Sequence, residues 1–142
     1  MKIPSEKLGE IEIDEKSIIN FVSPIIGFEK IKKYVIVKLS ENDKFSWLQS
    51  VDNDSVTFPI TVPQAFDIDY TFEIDDNNQK LLNLNDANDL LTFNIVNIPL
   101  NRPEDATINL LAPIVVNIKE NIGAQLILSG SNHLPNKRLF EA

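Results

Sequence analysis

His133 is the one side chain in the chain able to carry a proton near neutral pH, and Ser131 stands two residues before it. A Ser–His–Asp centre would have to use this histidine. The nucleophilic serine of such a centre sits on a strained G-x-S-x-G elbow, and the chain has none. His133 therefore reads as an exposed residue of the C-terminal segment. There is no cysteine, so disulfides and thiolate metal sites are excluded, and a zinc site would need several carboxylates around the single histidine. Asp52-Asn53-Asp54 and Asp75-Asp76-Asn77 have the oxygen-rich look of calcium loops. An EF-hand loop needs glycine at its sixth position, where Thr57 and Lys80 stand instead. Both stretches read as turns, since short polar side chains bond their own backbone. The four glycines are too far apart to cradle a phosphate. No catalytic, metal-ligating or cofactor-binding residue follows, and no cofactor is expected. Two carboxylates could still be paired for glycoside hydrolysis. A small β-barrel ligand-binding domain or hydrolase with paired carboxylates is thus the alternative reading, and a self-associating structural subunit is a third.

The net charge of −8, with 21 acidic and 13 basic side chains and only two arginines, argues against direct nucleic-acid binding. Displacing phosphate counterions takes clustered cations, and reading bases takes bidentate arginines. An acidic surface keeps a protein soluble and steers it towards basic partners. Residues 1–14 carry six charges and no apolar run, unlike a secretory signal. The longest apolar runs, such as 110–116, are too short to span a bilayer. The expectation is a cytoplasmic protein with no membrane partner.

The elements that must position these residues are mostly strands. At 142 residues the chain is long enough for one domain with its own core. Residues 8–14 (LGEIEID) alternate apolar and charged, as a half-buried strand does, and 34–39 (YVIVKL) do so in part. Residues 45–51 (FSWLQSV) and 56–62 (VTFPITV) flank the turn Asp52-Asn53-Asp54-Ser55 and predict a hairpin. Residues 69–74 (DYTFEI) predict a strand, followed by a polar turn at 75–78. Residues 91–98 (LTFNIVNI) predict another strand, and 99–105 a loop. Pro113 breaks 106–119, because proline cannot donate to a ladder. A tight turn at Asn121-Ile122-Gly123 then leads to a strand at 124–129, which makes a second hairpin. Short helical turns are expected at 27–33, 63–66 and 86–90, the last capped by Asp86. The sum is an all-β, compact, barrel-like domain of short antiparallel strands over residues 1–130. The tail, 131–142, is expected to fray or dock loosely.

Three segments together resemble the FliW family of flagellar assembly factors. They are Phe21-Val22-Ser23-Pro24-Ile25-Ile26-Gly27-Phe28-Glu29, then Phe45-Ser46-Trp47-Leu48-Gln49-Ser50-Val51-Asp52 with Phe58 and Pro63, then the run from Thr107 to Asn117 with Gly123 and Gln125. The likeness covers about residues 3–130. The family usually reads G-I-P-G-F-E in the first segment, whereas here Ser23-Pro24-Ile25-Ile26 replaces the leading glycine and shifts the proline. The resemblance implies a β-barrel-like fold without catalysis or cofactor, and two protein partners. One is flagellin, held in the cytosol before export. The other is CsrA, a small basic RNA-binding repressor of flagellin translation, which the factor binds and antagonises once flagellin has left.

A protein-binding role asks which residues form the contact. Glu29, Asp52 and Asp54 fall in predicted turns and carry the sign that suits a basic partner. Trp47 is the only tryptophan, a type enriched at interface hot spots. The core reading is favoured over it, because the face it shares with Phe45, Gln49 and Val51 reads as buried, while Leu48 falls on the opposite face. Trp47 and Leu48 are both candidate contacts. Asn109 and Asn117 flank an apolar run. Their first role is to fix the break at Pro113 by bonding loop backbone, and their second is as candidate contacts.

Overall fold

A computed structural model of the chain describes residues 1–140. Its strands are β1 (Lys2–Ile3), β2 (Ile11–Glu12), β3 (Ile19–Ser23), β4 (Lys33–Val37), β5 (Ser46–Ser50) and β6 (Thr57–Thr61). They continue with β7 (Leu90–Asn97), β8 (Thr107–Ile108), β9 (Ile114–Asn117), β10 (Ile122–Gln125) and β11 (Lys137–Arg138). Strand β9 pairs with both β10 and β7, so β3, β4, β5, β6, β7, β9 and β10 close into a seven-stranded barrel. An odd ring cannot alternate direction all the way round, so at least one neighbouring pair must be parallel. That pair is β3–β10, with a register shift between Gly123 and Ala124. The expectation of an all-antiparallel barrel is corrected there, and the all-β barrel itself is what the chain forms.

The barrel interior holds Ile19, Phe21, Tyr34, Leu48, Ile60, Phe93, Ile114 and Val116 in one cluster. Phe21 leans on Tyr34 with ring centroids 4.9 Å apart. The Tyr34 hydroxyl is buried and meets no hydrogen-bond partner among the described residues. Burial pushes its pKa up to about 12. Tyr34→Phe removes an unpaired buried polar group, so it is expected to hold or raise stability by about 1 kcal/mol in urea denaturation. Above the ordinary tyrosine value the unfolded chain ionises while folded Tyr34 stays neutral. The native protein should therefore lose stability as pH rises from about 10 towards 12, and Tyr34→Phe should lose less. A Tyr34→Phe variant clearly weaker than the parent at pH 7 would mean the hydroxyl is satisfied.

Both predicted hairpins form, β5–β6 and β9–β10, but the second turn spans 118–121, so Ile122 and Gly123 belong to β10 rather than to the turn, and the strand ends at Gln125 rather than at 129. Pro113 separates β8 from β9, and both lie along the same side of β7. Asp86 caps a 3-10 turn at Ala87–Asp89 by accepting from the Asn88 amide at 2.9 Å. Several local expectations change. Residues 75–78 are not a turn but the start of the only α-helix among the described residues, α1 (Asp76–Leu81). The Asp75 carboxylate caps it by accepting from the Asn78 amide at 2.8 Å. Residues 27–33 form no helix: tight turns lie at 26–27 and 29–30, with Gly27 at φ 89°, and Lys33 already opens β4. Asn121 takes the left-handed position that ends the turn into β10, at φ 54°.

The tail is more firmly placed than its composition suggests. Strand β11 pairs with β8, Leu139 is buried beside Ile108, and the Leu139 amide donates to the Ala106 carbonyl at 2.9 Å. His133 is half-buried rather than exposed. Its ring meets Tyr70 edge-on at 4.7 Å, and its Nε2 lies 3.1 Å from the Thr71 carbonyl. The last two residues of the segment 131–142 lie outside the described residues.

Candidate protein-binding surface

The loop joining β3 to β4 and the turn joining β5 to β6 lie at one end of the barrel, since the Val51 amide donates to the Lys33 carbonyl at 3.0 Å. Phe28 of the first packs edge-on against Phe58 of β6 at 5.0 Å. This end carries Glu29, Asp52 and Asp54, all exposed. Beside Glu29 the side chain of Ile26 is 57% exposed, which gives that end an apolar contact as well as charge.

Glu29 does more than present charge. Its carboxylate accepts from the Gly27 amide at 3.0 Å, and backbone hydrogen bonding, first from Gly27, holds its pKa below the usual carboxylate value. The exposed lysines Lys30, Lys32 and Lys33 follow it, so charge around it is mixed. The loop is tied to the barrel by Gln125, which sequence reasoning left without a role. Gln125 Oε1 accepts from the Ile26 amide at 2.8 Å, and its Nε2 donates to the Ala112 carbonyl at 3.3 Å. A buried glutamine inside an apolar strand is the sequence signal of such an anchor. The three segments behind the family resemblance meet here: Gly123 under Phe21, Gln125 on Ile26, and Phe58 on Phe28.

Trp47 and Leu48 exchange the places expected for them. Leu48 points into the barrel and is fully buried, so it presents no surface to a partner. Trp47 points outward and is half-buried, with Lys7 Nζ 4.8 Å from the ring centroid. Alternation could not decide this face, because the N-terminal segment covers the outside of the β5–β6 hairpin. Ser5 is buried there, and the Glu6 amide donates to the Asp54 carbonyl at 2.9 Å. Gln49, also outward, is fully buried and paired with the Thr57 hydroxyl.

Asn109 and Asn117 hold backbone. Asn109 Oδ1 accepts from the Leu111 and Ala112 amides at 3.1 and 3.0 Å, which shapes the break before Pro113. Asn117, 2% exposed, fixes a different place. Its Nδ2 donates to the carbonyls of Leu82 and Asn83 at 2.9 and 3.0 Å, and its Oδ1 accepts from the amides of Lys119 and Glu120. With its polar atoms occupied and its side chain buried, Asn117 has little left to offer a partner.

The largest concentration of charge lies elsewhere. Residues 67–89 carry seven carboxylates against one lysine, a net −6 of the chain's −8. This strap crosses the outside of the barrel. Tyr70 packs with Val96 and Ile108, and Phe72, Ile74 and Leu84 pack against Val115 and Leu126. Carboxylates also border two grooves, Asp67 and Asp69 in one, Glu73 and Asp75 in the other. Asp75 is already committed to capping α1. Among the described residues no three His, Asp or Glu side chains are grouped to hold a metal ion, and no helix is long and apolar enough to cross a membrane.

Comparison with known proteins places these features in context. A family model described as "FliW protein" matches residues 2–139. The flagellar assembly factor FliW of Caldanaerobacter subterraneus subsp. tengcongensis is 39% identical over 142 residues, covering 99% of this chain and 94% of that protein. The protein of the same description from Thermosipho africanus is 36% identical, covering 95% of this chain and 93% of its own length. A crystal structure of the flagellar assembly factor FliW superposes with a TM-score of 0.91 at 33% identity, covering 100% of this chain and 99% of that one.

Proposed function

The chain belongs to the FliW family of flagellar assembly factors, and from that premise we propose that it is a non-catalytic cytoplasmic regulator with two protein partners. It holds flagellin before export. When flagellin leaves, the freed factor binds a CsrA-type repressor and relieves its block on flagellin translation. The observation that carries this reading is the family match over nearly the whole chain. The acidic balance supports it, because a factor that strips a basic protein from RNA gains from opposite charge and need not touch RNA itself. Monomeric flagellin has disordered amphipathic ends, and such segments need a surface to fold against.

The test is direct. The purified chain should displace a CsrA-type protein from its RNA, and flagellin should compete for the chain. Absence of any complex with either at micromolar concentration would end the proposal.

Charge reversal at the barrel end locates the surface. Asp52→Lys with Asp54→Lys should weaken the complex with the basic partner about tenfold at low salt and flatten its salt dependence. Glu29→Lys is measured separately, since it also removes the acceptor of the Gly27 amide. Unchanged affinity at low salt would move the contact away from this end.

A further inference from the structure

The strap contains a segment with the alternation of a strand and, among the described residues, no paired neighbour. From Ile68 to Asp75 burial alternates without a break: Ile68, Tyr70, Phe72 and Ile74 face the barrel, while Asp69, Thr71, Glu73 and Asp75 face out. That period of two is the signature of extended backbone. Yet this segment enters no sheet, and among the described residues no acceptor meets the amides of Tyr70, Thr71, Phe72, Glu73 or Ile74.

Side chains meet the segment instead: the His133 ring nitrogen lies 3.1 Å from the Thr71 carbonyl on one edge, and two side-chain amides meet the other. Gln64 Nε2 donates to the Tyr70 carbonyl at 3.2 Å, and Gln79 Nε2 donates to the Ile74 carbonyl at 2.6 Å. Alternate residues of a strand turn their main-chain groups to the same side. Tyr70, Phe72 and Ile74 therefore present one edge, and the two glutamines sit where the donors of a neighbouring strand would be. Phe72, between them, has neither its amide nor its carbonyl taken among the described residues. Both glutamines also line a groove of about 460 Å³, floored by Phe72, Ile74, Leu84 and Leu90. An apolar floor beside an unpaired edge is the geometry of strand addition.

We propose that this groove takes an extended segment of a basic partner protein, which adds as a strand to the Tyr70–Phe72–Ile74 edge and displaces the amides of Gln64 and Gln79. Charge names the occupant. The strap holds six of the chain's eight net negative charges, with Asp69 and Glu73 facing out and Asp86 lining the groove. The segment it fits alternates lysine or arginine with small apolar residues. The inference goes beyond the proposed partners and is tested without either.

The experiment measures fluorescence anisotropy of a labelled heptapeptide alternating lysine and valine, against its glutamate and valine counterpart. The cationic peptide should bind and weaken with salt, and the anionic one should not bind. Methylating the backbone nitrogens along one edge should cut affinity about tenfold, while methylating the opposite edge leaves it unchanged, because only one edge donates to the strap. Gln64→Ala with Gln79→Ala should tighten binding about threefold or more by removing the competing donors. Asp69→Lys with Glu73→Lys should abolish it. Equal affinity of the two methylated peptides would reduce the site to unspecific charge attraction and overturn the proposal. So would no binding at millimolar peptide, or binding lost through Asp52→Lys with Asp54→Lys instead.

Discussion

Gly123→Ala is expected to destabilise the domain by about 1–3 kcal/mol, and Gly123→Val by more, because no room exists for the added atoms. A Cβ on Gly123 would lie 2.9 Å from Ile19 Cγ2 and 3.0 Å from Phe21 Cε1. Neither neighbour can retreat easily. Both belong to the barrel core, and Phe21 is backed by Tyr34 at 4.9 Å. The position also lies on the parallel β3–β10 pair, which an odd-stranded ring must contain in order to close. Two routes to relief are open: the ladder slips, or Phe21 leaves its rotamer. Either disturbs the base of the loop that carries Ile26 and Glu29. Urea denaturation measures the cost, and a thermal midpoint should fall by about 2–4 °C per kcal/mol for a domain of this size. A Gly123→Ala variant within about 0.5 kcal/mol of the parent would mean that the β3–β10 contact is soft.

Much of this architecture is legible in the residues, and the reasons differ by element. The β5–β6 hairpin is readable because turn chemistry at Asp52-Asn53-Asp54-Ser55 separates two apolar runs. The break at Pro113 is readable because a proline amide cannot enter a ladder. Ring closure is not readable. Pairing β9 with β7, and β10 with β3, joins residues far apart in the chain, and local pattern is silent on distant pairing. The orientation of Trp47 and Leu48 fails for a related reason. Alternation tells which residues share a face, but with the N-terminal segment packed on the outside both faces are covered.

The strap shows the opposite case. Its alternation at 69–74 reads as a strand, and burial there alternates as predicted, yet among the described residues no strand pairs with it. Sequence reports the intrinsic preference of the segment, and pairing is a property of what lies next to it. For the candidate contacts the division is similar. Glu29, Asp52 and Asp54 are exposed, as turn residues should be. Their grouping at one barrel end depends on the Val51–Lys33 and Phe28–Phe58 contacts, which no local pattern predicts.

Asn117 tests whether the strap and the barrel fold as one unit. Asn117→Ala orphans two carbonyls and two amides at once, at a site that is 2% exposed. The expected loss is about 2–4 kcal/mol, against about 1–2 kcal/mol for Asn109→Ala, which frees only two amides in a more open place. Asn117→Asp separates the two halves of the network. It keeps an acceptor for the Lys119 and Glu120 amides, but it turns an oxygen towards the carbonyls of Leu82 and Asn83. The two amides favour ionisation, but burial and the two carbonyls that lose their donor oppose it more strongly, so the folded-state pKa of the new acid should lie above its unfolded value. The folded variant then holds a proton that the unfolded chain releases. Its stability should therefore be greatest below the ordinary carboxylate pKa and fall as pH rises towards neutrality, while Asn117→Ala shows no such slope relative to the parent. If Asn117→Ala instead leaves the urea midpoint unchanged and only speeds hydrogen exchange in 67–89, the strap opens independently of the barrel.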